Sequence, residues 1–465
     1  MKFGGTSVGS AERILEVARI IVSERANTEV VVVVSAMSGV TDLLVSAANA
    51  AAQKEYVKLQ HYLQKLRKIH LDTIHTLAID KAHEQKLTTV ILDKLSELHE
   101  ILTSVYALGE LTPRGHDLIL SYGERMCIHL VSEAVDRLGG SAQPFEASKL
   151  IVTTTEFGDA RPLLAESAKM AKPKLLQSIS EGHIPVITGF MGATADGIFS
   201  TLGRGGSDYS ATIIGYCVDA TEVWIWTDVD GVMTADPRVI DDAHTISALS
   251  YDEAAELSYF GAKVLHPLTI VPASLKDIPI RIKNTFNTKA IGTLISNKVD
   301  VTKHAEKAIS TTKTLSLITV QGKGMIGVPG VAAKVFGIIA SEQINILFIS
   351  QASSEYNITF AVKQHDRAKA VRALEEGLKT ALAIKDLEAI TYQDDLVIVA
   401  VVGEGMRHHP GVAGKIFSAL GRCQANVYAI AQGSSERNIS FIIEEKDMPK
   451  VLRHLHDEFH LVAKS

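Results

Sequence analysis

Gln351-Ala352-Ser353-Ser354-Glu355 returns 81 residues later as Gln432-Gly433-Ser434-Ser435-Glu436, and the register around it holds without a gap. The same offset carries Gly324-Met325 to Gly405-Met406, Lys334-Val335-Phe336 to Lys415-Ile416-Phe417, and Asn345 to Asn426. A constant offset means that one supersecondary unit is used twice. Each copy reads as a strand (Leu315 to Gln321; Leu396 to Val402), a helix starting near Pro329-Gly330 or Pro410-Gly411, two strands around a turn, a second helix and a final strand. That order is the ferredoxin-like βαββαβ unit. Two such units in tandem form a paired, pseudo-symmetric regulatory or binding module, since neighbouring copies can share a sheet edge and enclose equivalent grooves. A purely structural duplication is the competing reading.

Upstream of the repeat, short β-rich runs alternate with longer helical ones, which predicts helices laid on a largely parallel sheet. Val30 to Ser35, Ile184 to Gly189 and Glu222 to Thr227 read as buried strands that end in small or polar residues. In an open α/β sheet the ligand crevice lies at the carboxyl ends of the strands, so the loops there are where chemistry is expected. Residues 53–105 lack Gly and Pro and are rich in Lys, Gln, Glu, Leu and His, which predicts two or three surface helices. His61, His70, His75, His83 and His99 fall in that stretch without HExxH spacing or companion Cys, and read as solvated side chains, not metal ligands.

The 465 residues, 46 % hydrophobic and 22 % charged, amount to about three domains at roughly 150 residues each. A net charge of −6 offers no basic field for nucleic acid or an anionic membrane. No apolar run reaches the ~18 residues of a membrane span, and Met1-Lys2-Phe3-Gly4-Gly5 is not a signal peptide, so a cytoplasmic protein is expected. Cys127, Cys217 and Cys423 are far apart and show no CxxC spacing, which predicts buried fillers.

Three polar turns stand out. Lys2-Phe3-Gly4-Gly5-Thr6-Ser7 leads from a first strand toward a helix beginning near Ser10-Ala11-Glu12, and combines a lysine with glycines whose N–H groups can face an anion. Gly203-Arg204-Gly205-Gly206-Ser207-Asp208-Tyr209-Ser210 precedes an apolar helical stretch and carries one Arg suited to a carboxylate fork. Thr227-Asp228-Val229-Asp230-Gly231, followed by Asp236-Pro237-Arg238, ends a strand. Familiar alternatives fail: Gly414-Lys415 lacks the rest of a Walker A loop, and HRD and DFG are absent. Gly322-Lys323-Gly324-Met325-Ile326-Gly327 fits GxGxxG, but its repeat copy, Gly403-Glu404-Gly405-Met406-Arg407-His408, loses the third glycine; the match belongs to the repeat's turn.

Together with Ser35-Ala36-Met37-Ser38-Gly39-Val40-Thr41 and Gly261-Ala262-Lys263-Val264-Leu265-His266-Pro267, these motifs resemble the aspartate kinase family in order and spacing over essentially the whole chain, and the repeat resembles that family's two ACT domains. The resemblance implies an α/β protein: a three-layer α/β/α amino acid kinase fold over residues 1–295, then tandem ferredoxin-like ACT domains over 311–390 and 391–465. It implies transfer of the γ-phosphoryl group of ATP to the β-carboxylate of L-aspartate, with Mg2+ held mainly by the nucleotide phosphates and no protein metal site. Lys2 and Asp208 map onto the catalytic positions, and Ser35, Thr41, Glu124, Arg204 and Ser207 onto the aspartate-binding ones. Lys2, Gly4, Gly5, Ser7, Thr227, Asp228, Met233, Arg238 and Lys263 map onto the nucleotide side; Met233 departs from the Tyr often found there. Lys2 lies so near the start that the α-amino group is expected close to the phosphates.

Regulation is implied as well. Ala332, Asn345, Gln351, Asn426 and Gln432 map onto effector positions, and a glutamine amide offers both donor and acceptor to an amino acid. The Gln-x-Ser-Ser-Glu pattern is similar to threonine-sensitive members, so feedback by threonine is expected ahead of lysine, in a homodimer formed through the ACT domains. A kinase for an acylated glutamate or a carbamate is disfavoured by the tandem repeat, and a fused homoserine dehydrogenase by length. A non-catalytic amino acid sensor on the same fold is the alternative of a different class; it predicts substitutions at Lys2, Arg204 or Asp208, and all three are in place.

Overall fold

Val32–Val34 are buried on both faces, as are Lys2 and Phe3 beside them, and around these short central strands the first half of the chain is built. A computed structural model describes residues 1–78, 80–261, 265–297, 308–351, 356–433, 435–459 and 461. The chain divides into two units: Met1–Val232 with Ser247–Ala254 and Val264–Val299, and Met233–Ile246 with Ala255–Lys263 and Asp300–Ser465.

The strands of the first unit are β1 (Lys2–Phe3), β2 (Val32–Val34), β3 (Ala142–Phe145), β4 (Val152–Thr153), β5 (Ile184–Thr188), β6 (Met191–Thr194), β7 (Phe199–Thr201), β8 (Val223–Thr227), β9 (Ala248–Leu249), β10 (Ile280–Asn284) and β11 (Thr293–Ile295). Eight form one sheet in the order β3-β5-β2-β1-β8-β10-β11-β9; β4, β6 and β7 form a small second one. All neighbours in the large sheet are parallel except β10 and β11. Such strands are buried on both faces and therefore read as continuous apolar runs.

Helices α1 (Ala11–Arg25), α2 (Val40–Ala52), α3 (Tyr56–Leu77), α4 (Lys81–Leu108) and α5 (Pro113–Arg137) come before β3. Ser10 caps α1 by accepting from the Arg13 N–H, and Thr112 caps α5, with Pro113 at its first position. α5 packs on β2, β3 and β5 beside α1 and α2. α6 (Leu164–Ser180), α7 (Gly206–Val218), the first turn of α8 (Tyr251–Tyr259), whose residues from Ala255 on are counted with the second unit, and α9 (Pro267–Ser274) complete the helices of this half. α7 covers β1, β2 and β8 with α6 and α9 alongside, which gives the three layers.

The 53–105 stretch forms the hairpin α3–α4, whose leucines pack on α2 and α5. One histidine there departs from expectation. His70 is fully buried, because its position falls on the apolar stripe with Leu59, Leu66 and Ile74; its Nδ1 meets the Leu66 carbonyl at 2.7 Å. The three cysteines are buried and free.

The second unit holds both repeat copies in one six-stranded antiparallel sheet. Its strands are β12 (Ala308–Gln321), β13 (Phe348–Gln351), β14 (Asn357–Lys363), β15 (Ala389–Val402), β16 (Ala429–Ala431) and β17 (Asn438–Glu444), in the order β13-β14-β12-β15-β17-β16. α10 (Val331–Ser341), α11 (Arg367–Gly377) and α12 (Lys379–Ala383) belong to the first copy, α13 (Val412–Arg422) and α14 (Met448–Glu458) to the second. The copies have separate cores in matching register: Val335, Ile339, Phe360 and Leu374 answer to Ile416, Leu420, Phe441 and Leu455.

The expected final strand of the second copy is corrected. Among the described residues no strand follows α14; Ala308–Thr312, ahead of the first copy, takes that edge by pairing with Val402–Ile398 of β15. β12 and β15 therefore each serve both copies, and they change register at Thr312–Leu317. Thr314 and Asp395, with φ of +60° and +55°, sit in the bends where each strand passes from one copy to the other.

Candidate active site

β1 lies where the chain order reverses, with β2 on one side and β8 on the other, so the crevice at its carboxyl end is the topological switch point. Lys2 ends there, nearly buried, with its Nζ 2.5 Å from the Asp208 carboxylate in the first turn of α7. Gly4 and Gly5 follow at close quarters. A Cβ on Gly4 would stand 3.3 Å from Lys2 Nζ, and one on Gly5 3.0 Å from the Ala36 carbonyl, so only glycines leave this turn open. The turn is tighter than a strand running directly into a helix: the Gly4 N–H donates to Trp226, and the Ser7 and Val8 N–H groups donate back to Gly4. Any anion contact falls to the Gly5–Thr6 stretch.

The Ser35–Thr41 turn follows β2 and runs into α2 through Gly39, whose φ of +78° is a left-handed cap. Ser35 and Thr41 are half-buried here. The Ala36 N–H donates to Glu124 Oε1 at 3.0 Å. α5 comes this close because residue 123 is glycine; a Cβ there would lie 2.7 Å from the Ala36 Cβ. Glu124 is 3 % exposed and its other oxygen, Oε2, has no hydrogen-bond partner. Burial pushes its carboxyl up to about 8, against the opposing pull of the Ala36 N–H and the Lys2 charge.

The loop before α7 brings in Arg204, Ser207 and Asp208. Gly203 and Gly205, both with φ of +72°, fold it, and Ser207 lies against Gly189 at the end of β5. Arg204 is exposed, and its charge adds to burial in lowering the His266 pKa. Phe190, a non-glycine residue with φ of +68°, packs against Gly206. Backbone strain of this kind gathers at functional sites.

Other expected residues are placed differently. Ser7 is fully buried with its hydroxyl bonded to Thr285 at 2.7 Å, so it fastens the turn instead of facing a ligand. The Thr227 hydroxyl donates to Asp228 at 3.2 Å, while Asp230 is held by Asn284 and Asn287. The α-amino group of Met1 is buried on the Val31 carbonyl at 2.7 Å, at the start of β1 and away from the glycine turn, correcting the expectation that it adjoins the phosphates. Met233 and Arg238 belong to the second unit. There the Met233 sulfur accepts from Thr245, and Arg238 is clamped in two hydrogen bonds by Asp236, two residues before it. Lys263 lies outside the described residues, as do Ala352 to Glu355 and Ser434 of the repeat.

In the second unit Asn345, Gln351, Asn426 and Gln432 are exposed and Ala332 is half-buried at the start of α10. Gln351 ends β13 and Gln432 follows β16, two edge strands that approach where the Ser350 hydroxyl donates to the Ile430 carbonyl. A cavity of about 260 Å³ opens beside them, lined by Phe348, Ile349, Ala431, Gly433 and Asn438 among others.

Two contributors carried no sequence signal. Asp117 is fully buried and accepts from the Gly158 and Thr201 N–H groups and the Thr201 hydroxyl, which pins the loop ahead of α6 to β7. Arg125 joins Glu146 and Glu97 and stacks over Tyr122 and Phe199. Among the described residues no group of three or more His, Cys, Asp or Glu is placed to hold a metal ion, and no helix is long and apolar enough to cross a membrane.

Residues 1–284 match the amino acid kinase family, and residues 318–378 and 399–459 each match an ACT domain. The chain is 38 % identical to the bifunctional aspartokinase/homoserine dehydrogenase 1 of Zea mays chloroplasts, over 99 % of this chain and 50 % of that protein. It thus spans about half the length of the curated relatives that it matches. In structure it is similar to E. coli aspartokinase III with aspartate and ADP in the R-state, at 30 % identity and a TM-score of 0.82 over 99 % of both chains. It is also similar to that enzyme with lysine and aspartate in the T-state, at 31 % identity and a TM-score of 0.80 over 98 % of both.

Proposed function

This chain belongs to the amino acid kinase family, and from that membership we propose that it is an aspartate kinase, transferring the γ-phosphoryl group of MgATP to the β-carboxylate of L-aspartate to give 4-phospho-L-aspartate, at the entry to lysine, threonine and methionine synthesis. The observation that carries the reading is the Lys2–Asp208 ion pair at the end of the central strand, with Glu124 beside it on the Ala36 turn. A carboxylate acceptor with a pKa near 3.9 is already ionised at neutral pH and needs no general base. The reaction instead needs two anions held in line and the charge on the moving group balanced. Asp208 fixes the Lys2 ammonium for that task. The open glycine turn fits phosphate oxygens, and Mg2+, carried mainly by the nucleotide, supplies further charge neutralisation when bound.

Arg204 is free to grip a substrate carboxylate, Glu124 accepts from the α-ammonium, and Ser35, Thr41 and Ser207 line the same turns. Gly4 and Gly5 form the turn on the nucleotide side, with the Gly5–Thr6 stretch offering the contact to phosphate and Ser7 fastening that turn, and Thr227 and Asp228 belong to the same side; Met233, Arg238 and Lys263 enter on family resemblance alone. The aspartate and ADP bound in the E. coli relative support this assignment of ligands. Feedback runs through the ACT domains, here taken as 311–390 and 391–465, in a cytoplasmic homodimer. Threonine is the favoured effector, on the two glutamines at the ends of the approaching edge strands; the lysine in the T-state relative keeps lysine as the alternative.

The test is ADP release coupled to hydroxylamine trapping of the acyl phosphate, with aspartate and MgATP, then with threonine or lysine added. Aspartate-dependent hydroxamate, suppressed by threonine, is the expected result. No hydroxamate, with threonine still raising the thermal midpoint, would establish the non-catalytic sensor instead.

A further inference from the structure

Among the described residues of the candidate site, Glu124 is the acid whose charge its surroundings leave least compensated. It is 3 % exposed, Oε1 accepts the Ala36 N–H, and Oε2 is buried without a hydrogen-bond partner; its own backbone N–H adds a smaller pull toward the charged form, and burial outweighs both. The groups that could compensate a negative charge are committed or neutral. Lys2 of β1 is paired with Asp208 of α7 at 2.5 Å, the Ser35–Thr41 turn contributes one N–H and no ionisable side chain, and α2 presents Val40 and Leu44 to the neighbouring Gly123. On α5 itself, Cys127 is a buried thiol raised well above its usual range, and Arg125 is engaged by Glu146 and Glu97. A buried carboxylate with one oxygen orphaned and its nearest cation paired to another acid takes up a proton instead of remaining charged.

We infer that Glu124 is protonated in the unliganded protein and surrenders that proton when the substrate's α-ammonium docks on it, so that binding of the amino acid releases one proton to solvent. This deepens the aspartate kinase reading and rests on it. The balance is simple: the ammonium arrives carrying its own charge, the Glu124 O–H bond breaks, the proton leaves through buffer, and an N–H⁺···⁻O pair replaces a neutral acid with an orphaned oxygen. The incoming ammonium brings the counter-charge that the fold withholds. With the Glu124 carboxyl raised to about 8, release is nearly complete at neutral pH and fades above that value, where the free protein is already ionised. Affinity for aspartate then climbs about tenfold per pH unit below the free-state pKa and levels off beyond it.

The experiment is isothermal titration of L-aspartate into the full chain at pH 7 in phosphate and in Tris, buffers with very different heats of protonation. A difference in binding heat equal to one proton released, abolished in Glu124→Gln, is expected. Infrared difference spectra of the unsubstituted protein provide a second readout that needs no variant: a protonated-carboxyl band present without aspartate and lost on its addition. Equal heats in the two buffers with aspartate still bound overturn the proton release and leave the kinase assignment standing. Absence of any aspartate binding removes the assignment itself, and the inference with it.

Discussion

At the scale of single residues, the site rests on one buried ion pair, and that pair can be taken apart. Lys2→Met removes the cation expected to balance the moving phosphoryl group and lowers kcat by about 10²–10³, the usual size of losing one such donor. It also strands the Asp208 carboxylate, so the thermal midpoint falls. Adding Asp208→Asn removes the stranded charge: the double variant recovers most of the midpoint and none of the activity. Calorimetry and hydroxamate formation on the two proteins separate the structural from the chemical role. Lys2, Asp208 and Arg204 drew attention in the sequence because glycine-rich turns at strand ends announce themselves by composition; Glu124, inside a helix, was marked by the family resemblance alone, which also supplied every proposed role. The partner of Ser7 was not, since Thr285 lies 278 positions away and nothing local marks it. Asp117 was hidden for the same reason: its partners, Gly158 and Thr201, are set by tertiary packing.

At the scale of elements, the meeting of α5 with the Ala36 turn decides where Glu124 stands. Gly123→Ala places a methyl 2.7 Å from the Ala36 Cβ, and overpacking of this kind costs about 1–3 kcal/mol. The expected outcome is a raised KM for aspartate with a smaller change in kcat, read from steady-state kinetics; an unchanged KM would show that the helix position does not govern substrate binding. Continuous apolar runs were readable even where the strand is short: those at 30–35, 184–189 and 222–227 appear as Val32–Val34, Ile184–Thr188 and Val223–Thr227. The closing strand of the second repeat copy was not, because repeat periodicity assigns each copy its own residues. Hydrogen-bonding demand at a sheet edge is indifferent to chain order, and Ala308–Thr312 meets it from the wrong side of the first copy.

At the scale of the whole molecule, three buried titratable groups set an opposed pH response. His70 and His456 are 0 % and 1 % exposed, and burial holds both below the ordinary histidine value. Unfolding lets them bind protons, so the stability they leave intact at neutral pH is lost as pH falls below the unfolded value of about 6.5. Glu124 has the reverse sign: its folded pKa lies above the unfolded one, so the unliganded protein loses stability as pH rises from about 4.5 toward about 8. His70→Leu is therefore expected to flatten the acid limb of a midpoint-against-pH curve, and saturating aspartate the alkaline one, both measured by scanning calorimetry. A last consequence belongs to β12, whose first half completes one repeat copy and whose second half founds the other. Severing the chain between the copies yields no pair of spare parts. A fragment beginning at the second copy would carry β15 with a naked flank, since Ala308–Thr312 stays with the other piece, and its readiest remedy is to lay that flank against the flank of a second identical fragment, turning a tidy truncation into an edge-to-edge dimer.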